Sequence, residues 1–240
     1  VMMCAQGTRS QGERTCDVFK VLVYTPAGLP DPALAIAAAR AAHVGVLNLE
    51  LTPHLTPHVD AALETLAGLA TGGFALHAAS ADQAMELAGK WGSRGLTLVV
   101  IPAEQGLAAP QTVHSLRAAG LQVLLQASAW DKRLLGDLCC DGVILKGHEA
   151  GGRVGEATSF ILLQQAMRAG MAHPVILRGG VGMFSAAALR AGGANGVVLD
   201  DQCLMLTESP LAARVAPVLG RFTGAETVLI EEAAGGAQWR

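Results

Sequence analysis

Aromatic side chains are scarce in this chain: one tyrosine, three tryptophans and five phenylalanines in 240 residues. Charge is scarce too, at 15% of residues against 51% hydrophobic. So apolar a composition excludes a disordered chain and requires a sizeable core. The net charge of −3 removes the electrostatic case for a nucleic-acid partner. No apolar run reaches the length of a membrane span, and residues 96–102 are only strand-sized. The five cysteines show no CxxC spacing, so a reducing, cytoplasmic setting is the simplest fit. The Cys139-Cys140 pair precedes a predicted strand and reads as core. Residues 1–18 are polar and lack the apolar centre of a signal peptide. No local metal-ligand motif is present; Glu50, His148 and Asp200 are scattered candidates only.

What is present is alternation. Apolar strand-like runs fall at 20–24, 44–51, 73–77, 96–101, 121–125, 142–145, 174–177 and 196–199. Helical segments follow at 31–42, 56–70, 80–90, 110–119, 132–138, 156–169, 185–191 and 211–219. Asp31-Pro32 and Ser80 are helix-start signals. Alternation of this kind predicts a parallel sheet, and eight such units predict an α/β fold, the (β/α)8 barrel. An open doubly wound sheet is the alternative. The expected layout is a linker at 1–18, the barrel at 19–222 and a tail at 223–240. Val1 and the stop soon after Gly235-Gly236 read as cuts within a longer polypeptide.

In such a barrel the working face lies at the strand C-termini. Those ends carry Thr25, Glu50, His77, Glu104, Gln126, Lys146 with His148, Arg178 and Asp200. Polar groups concentrated at one end of the strands predict a pocket there. The richest stretch is 141–156, DGVILKGHEAGGRVGE: a buried strand, then a glycine-rich polar loop, then a helix start. Such a loop lets bare backbone N–H groups approach an anion.

GHEAGGRVG resembles the GxEAGGHxG motif of the flavin-dependent nitronate monooxygenase and enoyl-acyl-carrier-protein reductase barrels. Thr25-Pro26-Ala27-Gly28, Gln126-Ala127-Ser128 and the segment PVILRGGV at 174–181 resemble that family's first, fifth and seventh strand ends in the same order. Glu208-Ser209-Pro210-Leu211 resembles the barrels attached to polyketide or polyunsaturated fatty-acid synthases. The resemblance implies an FMN-dependent oxidoreductase acting on a small or carrier-bound acyl substrate, with other synthase domains as partners. It implies Pro26 and Ala27 beneath the flavin ring, Gln126 beside it, and Ala150, Gly151 and Gly152 along its border. It places the phosphate at Gly179, Gly180 and the loop holding Asp200 and Asp201. His148, Arg153 and Lys146 are then the candidate catalytic groups.

Two positions depart from that pattern. Arg153 stands where the family has a proton-handling histidine, and a guanidinium stays protonated near neutral pH. Asp200-Asp201 stands where the family has a Gly-Thr pair, and carboxylates repel a phosphate. These departures keep a second expectation open: a flavin-less barrel serving as a structural or carrier-docking module.

Overall fold

The computed structural model describes residues 18–70, 72–103, 110–131, 139–223, 226, 228, 230–231 and 238–239. Eight parallel strands close into a barrel: β1 (Lys20–Tyr24), β2 (Val44–Asn48), β3 (Phe74–His77), β4 (Leu96–Pro102), β5 (Gln122–Ala127), β6 (Gly142–Lys146), β8 (Val175–Arg178) and β9 (Gly196–Leu199). Strand β9 pairs back onto β1 through Lys20 and Gly196, which removes any sheet edge. The expected barrel is therefore the observed fold, and the open sheet is not. The expected helix at 132–138, the strand-end residue Glu104 and the segment 1–17 lie outside the described residues.

Helices α1 (Ala33–Arg40), α2 (Pro57–Leu69), α3 (Ala81–Trp91), α4 (Pro110–Ala118), α5 (Ser159–Arg168), α6 (Met183–Ala191) and α7 (Ala212–Leu219) follow the strands. Their starts are set by local chemistry. The side chains of Thr56, Ser80 and Thr158 each accept a backbone N–H three residues on. The Asp31 carboxylate accepts from Ala33 N–H at 2.9 Å. Helix α5 begins at Ser159 rather than at Glu156, because Thr158 is the residue that caps it.

The core has two shells, so the strands are buried on both faces and read as continuous apolar runs. Leu22, Val46, Ala75, Leu98, Val100, Leu124, Ile144, Ile176 and Val198 fill the barrel interior. Leu47, Leu63, Leu76, Leu87, Trp91 and Leu116 belong to the larger cluster formed with the helices.

A small antiparallel sheet lies apart from the barrel. The two-residue strand β7 (Arg153–Val154) pairs with β11 (Gln238–Trp239), which pairs with β10 (Ile230–Glu231). The tail thus returns to the glycine-rich loop, a contact between segments far apart in sequence.

Candidate functional site

Successive side chains of a strand point to opposite faces, so inward positions recur every second residue. Two residues beyond the apolar interior positions lie Asn48 after Val46, His77 after Ala75, and Gln126 after Leu124. Lys146 follows Ile144 in the same way, Arg178 follows Ile176, and Asp200 follows Val198. Six of the eight strands therefore exchange an apolar inner residue for a polar one at or near the C-terminal end. All six polar residues are buried. Glu50, two residues past Asn48, reaches over them from the loop after β2.

Glu50 is where the side chains converge. Its Oε1 accepts from Lys146 Nζ at 3.0 Å, and its Oε2 accepts from Arg178 Nη1 at 3.0 Å. Arg178 also donates through Nε to Asp200 Oδ2 at 2.8 Å and through Nη1 to Gln126 Oε1 at 2.8 Å. Its guanidinium carbon stands 4.9 Å from the centre of the Tyr24 ring, a cation–π contact. Two cations thus face two carboxylates, and the charges balance.

Burial alone would raise the Glu50 carboxyl, but the neighbouring charges, Arg178 foremost, hold it well below the usual carboxylate range. Burial pulls against the Arg178 guanidinium, and Glu50 and Asp200 more than offset that, keeping it charged. Burial, then Arg178, lowers the Lys146 amine, with Glu50 opposing. His77 is pushed down to about 3, chiefly by burial, and so is neutral at ordinary pH. Its Nδ1 lies 3.9 Å from Glu50 Oε2. Among the described residues, neither His77 nitrogen nor the Tyr24 hydroxyl has a hydrogen-bond partner, although both side chains are fully buried. Buried polar atoms are normally paired, so this corner of the mouth is suited to receive a ligand or water.

The structure brings the expected strand-end residues Glu50, His77, Gln126, Lys146, Arg178 and Asp200 into one site. Thr25 is buried beside it and accepts the Asn48 N–H at 2.9 Å. Pro26 and Ala27 line the turn after β1 and are half-buried. His148 lies next to Glu149, with Nδ1 3.8 Å from Oε2. Arg153 is exposed on β7, in register with Trp239. Tyr24 and Asn48 belong to the mouth but were not singled out by sequence. Tyr24 read as the last residue of an apolar strand; being the chain's only tyrosine, at an inward-facing end, was its signal.

The residues assigned to FMN by resemblance can be tested against this geometry. A Cβ added at Gly180 would stand 2.9 Å from Glu149 Cγ, and Gly180 holds a positive φ of 61°. The glycine turn is thus packed against Glu149, whose carboxylate accepts the Ser159 N–H at the start of α5 at 3.0 Å. The Gly151 N–H donates to Asp201 Oδ2 at 3.0 Å. Ala150 is buried against Gly179, whose added Cβ would stand 3.0 Å from the Ala150 nitrogen. Gly152 leaves bare backbone near Lys146 Nζ. The donors of Gly151, Lys146 and Arg178 therefore already serve the chain's own carboxylates. A phosphate dianion would have to displace them beside Asp200 and Asp201. Of the groups assigned to the phosphate, Asp200 and Asp201 are carboxylates and do not suit a dianion.

Among the described residues no cluster of side chains suits a metal ion, and no helix is long and apolar enough to cross a membrane. A surface hollow lined by His114, Arg117, Leu121 and Asp141 lies at the opposite end, where β5 and β6 begin.

No family model matches the sequence, and no curated protein matches it. Solved structures do. FabK from Thermotoga maritima is similar over 92% of this chain and 70% of its own, at 22% identity and a TM-score of 0.78. A mutant tryptophan synthase alpha-subunit from Pyrococcus furiosus is similar over 84% of this chain and 98% of its own, at 17% identity and a TM-score of 0.60. A 3-hexulose-6-phosphate synthase is similar over 81% of this chain and 95% of its own, at 18% identity and a TM-score of 0.56. At these identities the similarity establishes the fold, a (β/α)8 barrel.

Proposed function

We propose that this barrel is an enzyme that handles a small or carrier-bound acyl substrate at the Glu50–Lys146–Arg178–Asp200 cluster, without a resident flavin. The observation that carries the proposal is the capture of donors by carboxylates: Asp201 on Gly151, Glu50 on Lys146, and Asp200 with Glu50 on Arg178. The unpartnered Tyr24 hydroxyl and His77 imidazole provide polar groups for a substrate. Fixed charges in a water-poor mouth act on a reacting group far more strongly than they would in water. Met183 and Phe184, which open α6 just after the glycine turn, are 79% and 84% exposed. Such residues suit an acyl chain or a carrier domain of a polyketide or fatty-acid synthase.

The competing reading is an FMN-dependent oxidoreductase of the nitronate monooxygenase or enoyl reductase class. The EAGG and GGV motifs and the fold similarity to FabK favour it. In that reading Gly151, Gly179 and Gly180 would border the cofactor, and flavin would supply the hydride chemistry. An absorbance scan of the purified protein, followed by titration with FMN, separates the two. The proposal expects no flavin bands and no saturable binding. A protein that purifies with stoichiometric FMN would overturn it and restore the redox reading.

A further inference from the structure

The charged cluster holds the elements of amine chemistry. An amine attacks a carbonyl carbon only as the free base, and a lysine exposed to neutral water is almost wholly protonated. Two surroundings favour the free base: removal from water and a second cation nearby. Lys146 has both. It ends β6 with a side chain 1% exposed, and Arg178 stands beside it in register on β8. The direction of its amine's shift agrees with that placement.

The proton acceptor is also in place. Glu50 Oε1 lies 3.0 Å from Lys146 Nζ, while the other Glu50 oxygen is held by Arg178 at 3.0 Å. The carboxylate is thus aimed at the amine and restrained from turning away. Glu50 is the more accessible of the pair, with 18% of its side chain exposed, so a small molecule can approach from its side. Gly152 lies close to the amine, and a Cβ added there would stand 3.5 Å from Nζ. At Gly152 the glycine loop therefore passes the amine without a side chain. The unpartnered Tyr24 hydroxyl and His77 nitrogens, buried in the same mouth, supply hydrogen bonds for a carbonyl oxygen or an adjacent polar group.

We propose that Lys146 is a nucleophile that forms an iminium with an aldehyde or ketone substrate, with Glu50 moving the proton. This rests on the flavin-free reading above and names its substrate class. Glu50 first takes a proton from the Lys146 ammonium. The free amine adds to the carbonyl carbon, and a proton passes from nitrogen to oxygen to give a neutral carbinolamine. Its C–O bond then breaks as Glu50 returns its proton to the departing hydroxyl, which leaves as water. The nitrogen lone pair forms the C=N bond, and the positive charge rests on nitrogen. No electrons enter or leave, and water reverses the sequence. The iminium draws electrons from the neighbouring carbon and makes its C–H acidic, with the Glu50 carboxylate again the base within reach.

The test uses the full chain and three probe carbonyl compounds, pyruvate, glyoxylate and acetone, each with sodium borohydride as the reductant that fixes the iminium as a secondary amine. The lysines of the chain are Lys20, Lys90, Lys132 and Lys146, so peptide mass mapping assigns the adduct directly. Lys146 is expected to be labelled well ahead of the exposed Lys20 and Lys90 by at least one probe. Glu50→Gln should slow that labelling by about 100-fold, the worth of a positioned base. Lys146→Arg should abolish it, together with any deuterium uptake at the methyl group of pyruvate. Labelling spread evenly over Lys20, Lys90 and Lys146, or no adduct on Lys146 with any probe, overturns the proposal. Should Lys146→Arg fail to fold, the wild-type map and Glu50→Gln still decide. The FMN titration on the same sample separates the failures: no flavin and no adduct sinks the iminium alone, whereas bound flavin sinks the reading beneath it.

Discussion

Ion pairs occur in two regions of this molecule with nearly the same lengths and very different surroundings. On the helical exterior, Lys90 meets Asp60 at 2.6 Å and Arg94 meets Glu64 at 2.6 Å, with all four side chains at least 40% exposed. In the barrel mouth, Lys146 meets Glu50 at 3.0 Å and Arg178 meets Asp200 at 2.8 Å, with both cations nearly sealed from water. The shorter pairs are the less consequential ones. Outside, water screens both charges and offsets most of the attraction. Inside, each charge has lost its hydration and depends on its partner, so removing one strands the other. The distances alone do not mark the functional region; burial does.

The largest expected effect comes from breaking the inner set at Arg178. Arg178→Met keeps much of the volume but leaves Asp200 without its cation and Glu50 with Lys146 alone. Loss of one partner from a buried pair costs about 3–5 kcal/mol. Urea unfolding followed by circular dichroism should show it; a loss no larger than that of an exterior variant would mean the mouth is wetter than its burial implies.

Acid tests the same contrast without mutation. The folded state holds His77 at about 3 against an ordinary value of 6.5, so it disfavours the protonated imidazole that the unfolded chain accepts freely. Stability from this group is complete above pH 6.5 and declines as pH falls toward 3, by roughly 1.4 kcal/mol per pH unit. The Glu50 carboxyl is depressed, so its contribution is complete above the ordinary carboxylate value of 4.5 and declines as pH falls from there toward its folded value. His77→Gln should therefore flatten the stability profile between pH 6.5 and 3 relative to wild type. Parallel profiles for the two proteins would place His77 in contact with solvent.

The apolar layer just below the mouth should respond more gently. Ile176→Val removes one methylene two residues before Arg178, and such a change costs about 0.5–1.5 kcal/mol. If it proved as damaging as Arg178→Met, packing rather than charge would govern this end of the barrel.

The exterior pairs give the smallest effect. Lys90→Ala should leave the thermal midpoint within experimental scatter. Arg94→Ala should do slightly more, because its guanidinium also covers the Trp91 ring at 4.3 Å. A clear drop for Lys90→Ala would show that the exterior pairs form a network.

Much of the mouth was legible in the sequence, and the reason is geometric. Where a strand is buried throughout, its first polar residue marks its end, and parallel strands in a closed barrel bring all such ends to one rim. His77, Gln126, Lys146, Arg178 and Asp200 are legible on that ground, whereas on β2 the first polar residue is Asn48 and Glu50 lies two residues past it. Tyr24 was not, because an aromatic residue closing an apolar run looks like core until Arg178 is seen stacked on it. Nor was the use of the glycines. The turn at Gly179-Gly180 reads as a cradle for a phosphate or as a simple tight turn, and the structure packs the Glu149 side chain against it.

The sequence by itself determined the alternation of strands and helices, their caps, the barrel that follows from eight repeats, and the rim on which polar groups gather. These are local properties: side-chain period, apolar runs, and Thr or Ser at helix starts. Only the tertiary structure decided which charge meets which. Arg153, adjacent to the motif glycines, points its chemistry outward on β7, whereas Glu50, far away in sequence, closes over Lys146. Asp201 reaches the Gly151 N–H across fifty positions, at a glycine that sequence resemblance placed along the border of a flavin. Pairing of this kind depends on closure of the barrel, because ring order and strand register, not distance along the chain, set the partners of a buried charge.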